Sequence, residues 1–445
     1  MKKSNFFPLK KQQLVIIMLS LVIIMSIGLI GTSEIIAQDN DEVITFPDPN
    51  LEEVIREKID KPEEDIYRSD LEEITELRAS FQEIENLDGV QYMTELRWIS
   101  LWGNEVEDIT YLEELQGLEY LNLYDNNVSD ISPLNNLTNL AWLGLINNEI
   151  VDVEALENLT RLQVLDLRNN NIAEVEALHQ LENLEWLDLR GNDISNIDSL
   201  ENLTSLERLD LRNNSISDIA VLAELNNIEW LDLRDNDITD ISSLADMDNL
   251  SYLNLHGNEI EDIAALSDKQ YLQTLFLGDN NLTDLADLAD LQELSVLTFS
   301  ANNIEDISFL EDLNNLQDLK FSKNHVADIS PLENKDSLEV LYFSNNKVED
   351  ISYLANLTEL EELRFSANKV ADISVIAELT SLNHLDFSSN RVRNIDPLLE
   401  GDFSQGDEIY LKENLLNIYE RTDAYSVIQE LEEDEVEVHY MPQTD

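Results

Sequence analysis

Hydrophobic positions recur along most of this chain in one frame, L-x-x-L-x-(L/F)-x-x-N-x-(I/L/V), and the frame repeats every 22 residues. Its asparagine occupies fourteen positions from Asn104 to Asn390 without a slip, as in "LERLDLRNNSI" ending at Ile216. Within each frame the last two leucines alternate with polar residues, as one face of a β-strand requires. Leu209 and Leu211 are expected to point inward, and Arg208, Asp210 and Arg212 outward. The following "I-x-D-I-x-x-L" adds Ile216, Ile219 and Leu222 to the same interior. The pattern predicts one short strand per coil, a bend at the asparagine and a short return segment.

A fixed period of this length predicts a leucine-rich repeat solenoid of the α/β type, with about 16 coils over residues 76–414. Its parallel sheet lines the concave face, and 3-10 or extended segments form the convex face. An inward asparagine carries donors and an acceptor, so stacked copies can satisfy backbone groups at the bend. The recurring aspartates Asp108, Asp130, Asp152, Asp218, Asp240 and Asp262 are placed to cap the next turn, with a calcium ladder as the alternative.

The ends depart from the repeat. Residues 1–37 pair Lys2, Lys3, Lys10 and Lys11 with the apolar run Leu14–Ile30 and read as a signal peptide cleaved after Ala37, or an N-terminal anchor if uncleaved. Residues 38–75 read as a helical N-terminal cap. In it, Leu51, Val54, Ile55 and Ile59 have helical spacing after Pro49, and Ser69 is the expected N-cap of a second short helix. The first coil is degenerate, with Gln82 at the asparagine position. Near the end the step lengthens from Asn390 to Asn414. Residues 415–445 then read as a C-terminal cap, with helix "AYSVIQELEED" and strand "EVEVHY".

Composition narrows function. Ninety-three acidic residues against 27 basic ones give a net charge of −66, so nucleic acid is excluded as a general partner and an anionic membrane would be repelled. Membrane contact is expected only through an uncleaved N-terminal segment. Such acidity fits a saline or alkaline exterior, or else a surface for cationic partners. With no cysteine, disulfides and thiolate chemistry are impossible. The five histidines fall at unrelated frame positions, and no nucleophile, base and orienting group converge. A non-enzymatic protein needing no cofactor or metal is expected.

Reading at 22-residue steps turns scattered residues into columns. One outward column runs Trp98, Tyr120, Trp142, Val164, Trp186, Arg208, Trp230, Tyr252, with Trp102 and Tyr124 also outward. Beside it the motif "LDLR" sets Asp166, Asp188, Asp210 and Asp232 next to Arg168, Arg190, Arg212 and Arg234. This strip is either a ligand-binding surface, since aromatic residues dominate interface hot spots, or intramolecular packing that covers the sheet. Exposed ion pairs between these columns would each be worth under about 1 kcal/mol. From Phe299 to Phe387, phenylalanine replaces the inward leucine and forms a core spine. In these coils Lys320, His325, Lys347, Arg364, Lys369 and Arg391 make a basic docking edge, able to meet an acidic partner or another copy of the chain.

The 22-residue frame, "ISPL" at 131–134 and 329–332, "FPDPNLEEVI" and "ENLDGVQYMTEL" together resemble the internalin-type leucine-rich repeat proteins of Gram-positive bacteria, over about residues 44–414. The resemblance implies an exported protein, secreted or on the cell surface, that binds a protein partner on its concave face. The immunoglobulin-like module, sorting signal and wall-binding repeats of well-known members are not found, so wall anchorage is not implied. The expected function is recognition of a protein ligand. A glycan or wall polymer held on the aromatic strip, and a structural or self-associating surface protein, are the alternatives.

Overall fold

The computed structural model describes residues 41–419 and 422–441; the segment 1–37, expected to be a signal peptide or anchor, lies outside the described residues. The unit beginning at Val43 is one stack of coils. Strand β1 spans Glu76–Arg78, and strands β2 to β15 follow at 22-residue steps to His384–Asp386. Two more, β16 (Glu408–Tyr410) and β17 (Glu437–His439), complete a 17-stranded sheet. Every strand pairs in parallel with the next, and from β1 to β15 the partners lie one repeat apart, as Trp98 is with Tyr120. The longer step near the end is absorbed between β15 and β16, where His384 pairs with Glu408. The coils of β1 to β14 each return through a 3-10 turn of three to five residues, such as Thr110–Leu112 or Glu176–Gln180.

The register follows from burial. Leu77, Ile99, Leu121, Leu143 and their successors stack at 0% exposure, and a slip of one residue would expose the whole column. Fully burying each leucine contributes roughly 1.5–3 kcal/mol before chain entropy is subtracted. Phe299, Phe321, Phe343, Phe365 and Phe387 form the expected spine, with stacked rings 5.4–6.1 Å apart.

The bend asparagines each join two successive coils. In Asn148, Oδ1 accepts from Val128 N of the preceding coil at 2.9 Å. Its Nδ2 donates to Leu123 O at 2.9 Å and to its own coil at Leu145 O and Ile146 O, both at 3.1 Å. The residue before each asparagine is left-handed, from Phe81 (φ 58°) and Gly103 (φ 70°) to Ser389 (φ 57°) and Glu413 (φ 57°). The expected aspartate caps form as well: Asp108 Oδ1 accepts from Thr110 N at 2.9 Å, and Asp130 Oδ1 from Ser132 N at 2.8 Å.

Caps close both ends. Helix α1 (Pro49–Ile59) begins at Asp48, whose Oδ1 accepts from Asn50 N and Leu51 N. Its Oδ2 accepts from Glu85 N (2.7 Å) and Asn86 N (3.0 Å), which ties the cap to the first coil. Burial opposes that charge, but the four backbone donors more than offset it and hold the carboxyl below its usual range. Helix α2 (Arg68–Leu71) starts at Tyr67 rather than at the expected Ser69. Asp70, bonded to Lys61 Nζ, reaches back to Tyr67 N at 2.8 Å and moves the start two residues earlier. A four-residue helix α3 (Pro397–Glu400) fills the lengthened step. Helix α4 (Asp423–Glu433) then buries Val427, Ile428 and Leu431 and leads into β17.

Candidate functional site

The aromatic column is a ladder of stacked groups on the sheet face. Trp98 and Tyr120 stack at 3.4 Å between ring centroids, and Tyr120 and Trp142 at 4.3 Å. Beyond the buried Val164, the guanidinium of Arg208 lies 5.5 Å from the Trp186 ring and 3.6 Å from that of Trp230. Trp230 stacks on Tyr252 at 4.7 Å. Parallel strands hold these groups about 4.8 Å apart, close to the thickness of an aromatic stack. Of the tryptophans two strands apart, Trp98 and Trp142 have their gap filled by Tyr120, Trp142 and Trp186 by Val164, and Trp186 and Trp230 by Arg208. Ring faces are used within the ladder, and its rings are half-buried.

Gly144 shapes the upper part of this ladder. A Cβ there would lie 2.2 Å from Tyr124 Cε1 and 2.4 Å from Trp142 Cη2. Both rings lean over the bare backbone, with centroids 5.6 Å apart. Trp102 stands apart at the bend, 41% exposed. It tilts against Phe81 at 4.7 Å and donates Nε1 to Asp125 at 2.6 Å.

The neighbouring charge ladder differs from the sequence expectation. Asp166, Asp188, Asp210 and Asp232 are not exposed partners in surface ion pairs; all four are buried, at 0–3% exposure. Strand alternation points them toward the sheet face, but the arginines and the aromatic column close over them. Arg168 bridges Asp166 (2.7 Å) and Asp188 (3.7 Å), and Arg212 bridges Asp210 (3.1 Å) and Asp232 (3.4 Å). Arg190 and Arg234 lie 4.0 and 3.8 Å from Asp188 and Asp232. Tyr124 donates its hydroxyl to Asp166 Oδ2 at 2.9 Å. Asp210 Oδ2 lies near Arg212 but off its N–H directions and makes no hydrogen bond. Nε of Arg168, Arg208 and Arg234 and Nε1 of Trp186 are also buried without a hydrogen-bond partner.

Burial raises every carboxyl in this row. Asp166 is pushed up by burial and by Asp188, and Asp188 by burial against the pull of Arg168 and Arg190. Asp210 is pushed up by burial and by Asp188 and Asp232 on either side. Burial takes Asp232 up to about 6, although Arg234 and a backbone N–H oppose it. Burial also lowers Arg208, and burial followed by Asp166 raises the Tyr124 hydroxyl. Sequence reasoning set these four aspartates beside their arginines but read the pairs as exposed, so their burial is what it missed. The available signal was their placement between a tryptophan column and an arginine column on one face.

The basic residues fall in two places. Lys320 and Arg364 flank the Tyr342 ring on the sheet, at 5.0 and 4.6 Å, and pair with Asp318 (2.7 Å) and Glu362 (3.6 Å). His325, Lys347, Lys369 and Arg391 instead follow the asparagine at the bend, where Lys347 lies 3.7 Å from Glu305 and Lys369 3.4 Å from Glu349. A third cluster, unforeseen, stacks Tyr410 on His439 at 4.1 Å, with His384 5.4 Å from Tyr410 and 3.1 Å from Glu408. Among the described residues no group of three or more His, Cys, Asp or Glu could hold a metal ion. No described helix is long and apolar enough to cross a membrane.

The parallel ladder, the bend asparagines and the 3-10 returns define a class, the leucine-rich repeat solenoids. The leucine-rich repeat region family matches residues 95–324, and a two-copy leucine-rich repeat family matches 314–356 and 336–378. Internalin InlF from Listeria monocytogenes is similar at 32% identity, covering 74% of this chain and 96% of that one, with a TM-score of 0.70. A leucine-rich repeat protein of Leptospira interrogans is similar at 25% identity, covering 83% and 97%, with a TM-score of 0.74. The plant peptide hormone receptor RGFR1, solved in complex with RGF2, shares the fold at 18% identity and a TM-score of 0.58, covering 85% of this chain and 79% of that one. None of the curated proteins searched matches this sequence. The chain belongs to the leucine-rich repeat family, in its internalin-type branch, and no enzyme family is among its matches.

Proposed function

We propose that this is an exported, non-catalytic recognition protein that binds a protein ligand across the concave sheet from Trp98 to Tyr252. One observation carries the reading. The aromatic ladder is built from rings stacked face to face, so what it offers outward is a ridge of apolar edges rimmed by arginines. Such a ridge suits the side chains of a protein partner, with tryptophan and arginine as anchors. A glycan held by stacking needs open ring faces, and the ladder uses most of its faces internally. That weighs against the oligosaccharide alternative. Relatives add support: the plant receptor of like fold was solved with its peptide. The surface charge of the chain, −66 overall, suits a saline exterior, where it keeps the protein soluble.

Within the strip the roles divide. Arg208 is held between two rings and Arg168 and Arg212 over buried carboxylates, so they shape the surface. Trp102, Arg190 and Arg234 are the more exposed of the site residues. The experiment is affinity capture from the native extracellular milieu at high salt, run alongside an oligosaccharide array. Wild type is compared with Trp186→Ala/Trp230→Ala, with circular dichroism as the folding control. A protein captured by wild type and lost by the folded variant supports the proposal. Unchanged capture makes the strip packing only, and array binding lost in the variant gives the site to a glycan.

A further inference from the structure

We infer that two copies of this chain associate through the bend edge of the solenoid, about a two-fold axis at the coil of Ala301 and Asn303. The edge is formed by the residues before and after each bend asparagine, and its charge changes sign along the stack. On one side of Asn302 lie Asp279, then Glu259, then Asp235 and Asp237, all exposed. None of them makes an ion pair among the described residues, and an open groove of about 470 Å³ runs between them. On the other side lie Lys323 and His325, then Lys347, then Lys369, then Arg391. At the centre Ala301 and Asn303 are uncharged.

The order of these residues is self-complementary. A two-fold axis places the coil n steps before the centre against the coil n steps after it in the second copy, and does so twice by symmetry. One step out, Asp279 meets Lys323. Two steps out, Glu259 meets Lys347. Three steps out, Asp237 meets Lys369, and four steps out Ser215 meets Arg391. Each pair lies in the same column of the bend, so a flat apposition needs no change of register. A charge on the axis would face its own copy, and the central coil carries none in these two columns. Within one copy Lys347 and Lys369 lie 3.7 and 3.4 Å from Glu305 and Glu349, exposed pairs each worth under about 1 kcal/mol, so both lysines can turn to Glu259 and Asp237 of the second copy.

The energetics point to a weak, salt-tuned dimer. Nine coils span roughly 38 Å at a strand spacing of about 4.8 Å, a narrow contact below the standard size for tight complexes. The net charge opposes association at low salt. At about 0.15 M salt, screening over about 8 Å suppresses that long-range repulsion, while matched charges in contact still attract. At 1 M the screening length of about 3 Å weakens the pairs as well. The surface involved is separate from the aromatic strip, so this inference and the ligand proposal stand or fall independently.

Sedimentation velocity over a concentration series tests it. The wild type is expected to show a concentration-dependent dimer in about 0.15 M NaCl and a monomer in 1 M. Lys347→Glu/Lys369→Glu and Asp237→Lys/Glu259→Lys should each weaken the dimer by at least about ten-fold. The fourfold variant combining both pairs restores the match and should dimerise again. An equimolar mixture of the two double variants should form mixed dimers. A wild type that is monomeric at every salt concentration overturns the inference. So does a dimer indifferent to either pair, or a fourfold variant as weak as its parents.

Discussion

At the residue scale, the bend shows how one backbone demand is met by different side chains. Every position before the asparagine is left-handed, a conformation that suits glycine, asparagine and aspartate and costs other residues roughly 1 kcal/mol or more. Early coils use favourable residues, such as Gly103, Asp125, Asn147 and Gly191. Later ones use Ala301, Lys323, Ala367 and Ser389 at φ 53–57°. The stack over-determines these bends, because each asparagine bonds to the preceding coil and the residue before it donates its N–H to the next one, as Ala301 N does to Ser322 O at 2.8 Å. Ala301→Gly and Ala367→Gly are therefore expected to stabilise the protein by about 0.5–1 kcal/mol each, after allowing for glycine's greater chain entropy. Urea unfolding checks this, and a loss of stability in both variants would refute it. The enrichment of Asn, Asp and Gly at this position was visible in the sequence. Its left-handed geometry was not, because the later coils break the enrichment.

At the element scale, the strands turn a repeat into a buried polar row. Four aspartates on adjacent strands, in register, would repel one another if all were charged. Burial raises each of them, so the folded chain binds more protons than the unfolded one above the ordinary aspartate range. A raised acid contributes stability that is full below its unfolded value and lost as pH rises through the folded one. For Asp232 that window runs from 3.8 to about 6. Across it, stability is expected to fall with rising pH by at most about 1.4 kcal/mol per unit for this one proton. Asp232→Asn should flatten the slope that the wild type shows between pH 4 and 6. Urea midpoints at the two pH values measure it, and equal slopes in wild type and Asp232→Asn would contradict the burial argument. Gly144 belongs to the same scale. Gly144→Asp, which copies the next strand, should displace Tyr124 and Trp142 and shift the tryptophan emission, with a cost of about 1–3 kcal/mol from overpacking.

At the scale of the whole molecule, the net charge is the dominant long-range force. The acidic surface repels itself, and salt shortens the reach of that repulsion. Raising NaCl from about 0.02 to 0.5 M is expected to lift the thermal midpoint by about 5 °C or more. A midpoint that stays flat or falls would mean that the surface charges are already locally compensated. The same screening sets the conditions under which the bend edges of two copies could meet.

The architecture was legible without coordinates because repetition states one local rule many times. A leucine column, a bend asparagine and a capping aspartate recur with one period, and only a stacked parallel sheet satisfies them all. The caps were legible from helical spacing at Leu51, Val54, Ile55 and Ile59, apart from the start of α2, which a lysine-held Asp70 decided. Sequence also put Trp98 to Tyr252 in one column, because a fixed period makes position in the chain equivalent to position on the sheet. What a side chain does within its column is a property of its neighbours, and those lie 22 residues away on either side. Tertiary structure alone decided that the rings stack through Tyr120 and Arg208 and that Gly144 admits two of them. It alone decided that Asp166, Asp188, Asp210 and Asp232 lie beneath their arginines instead of beside them in water. The physical reason is that periodicity fixes direction, while burial depends on the size and reach of whatever packs on the adjacent strands.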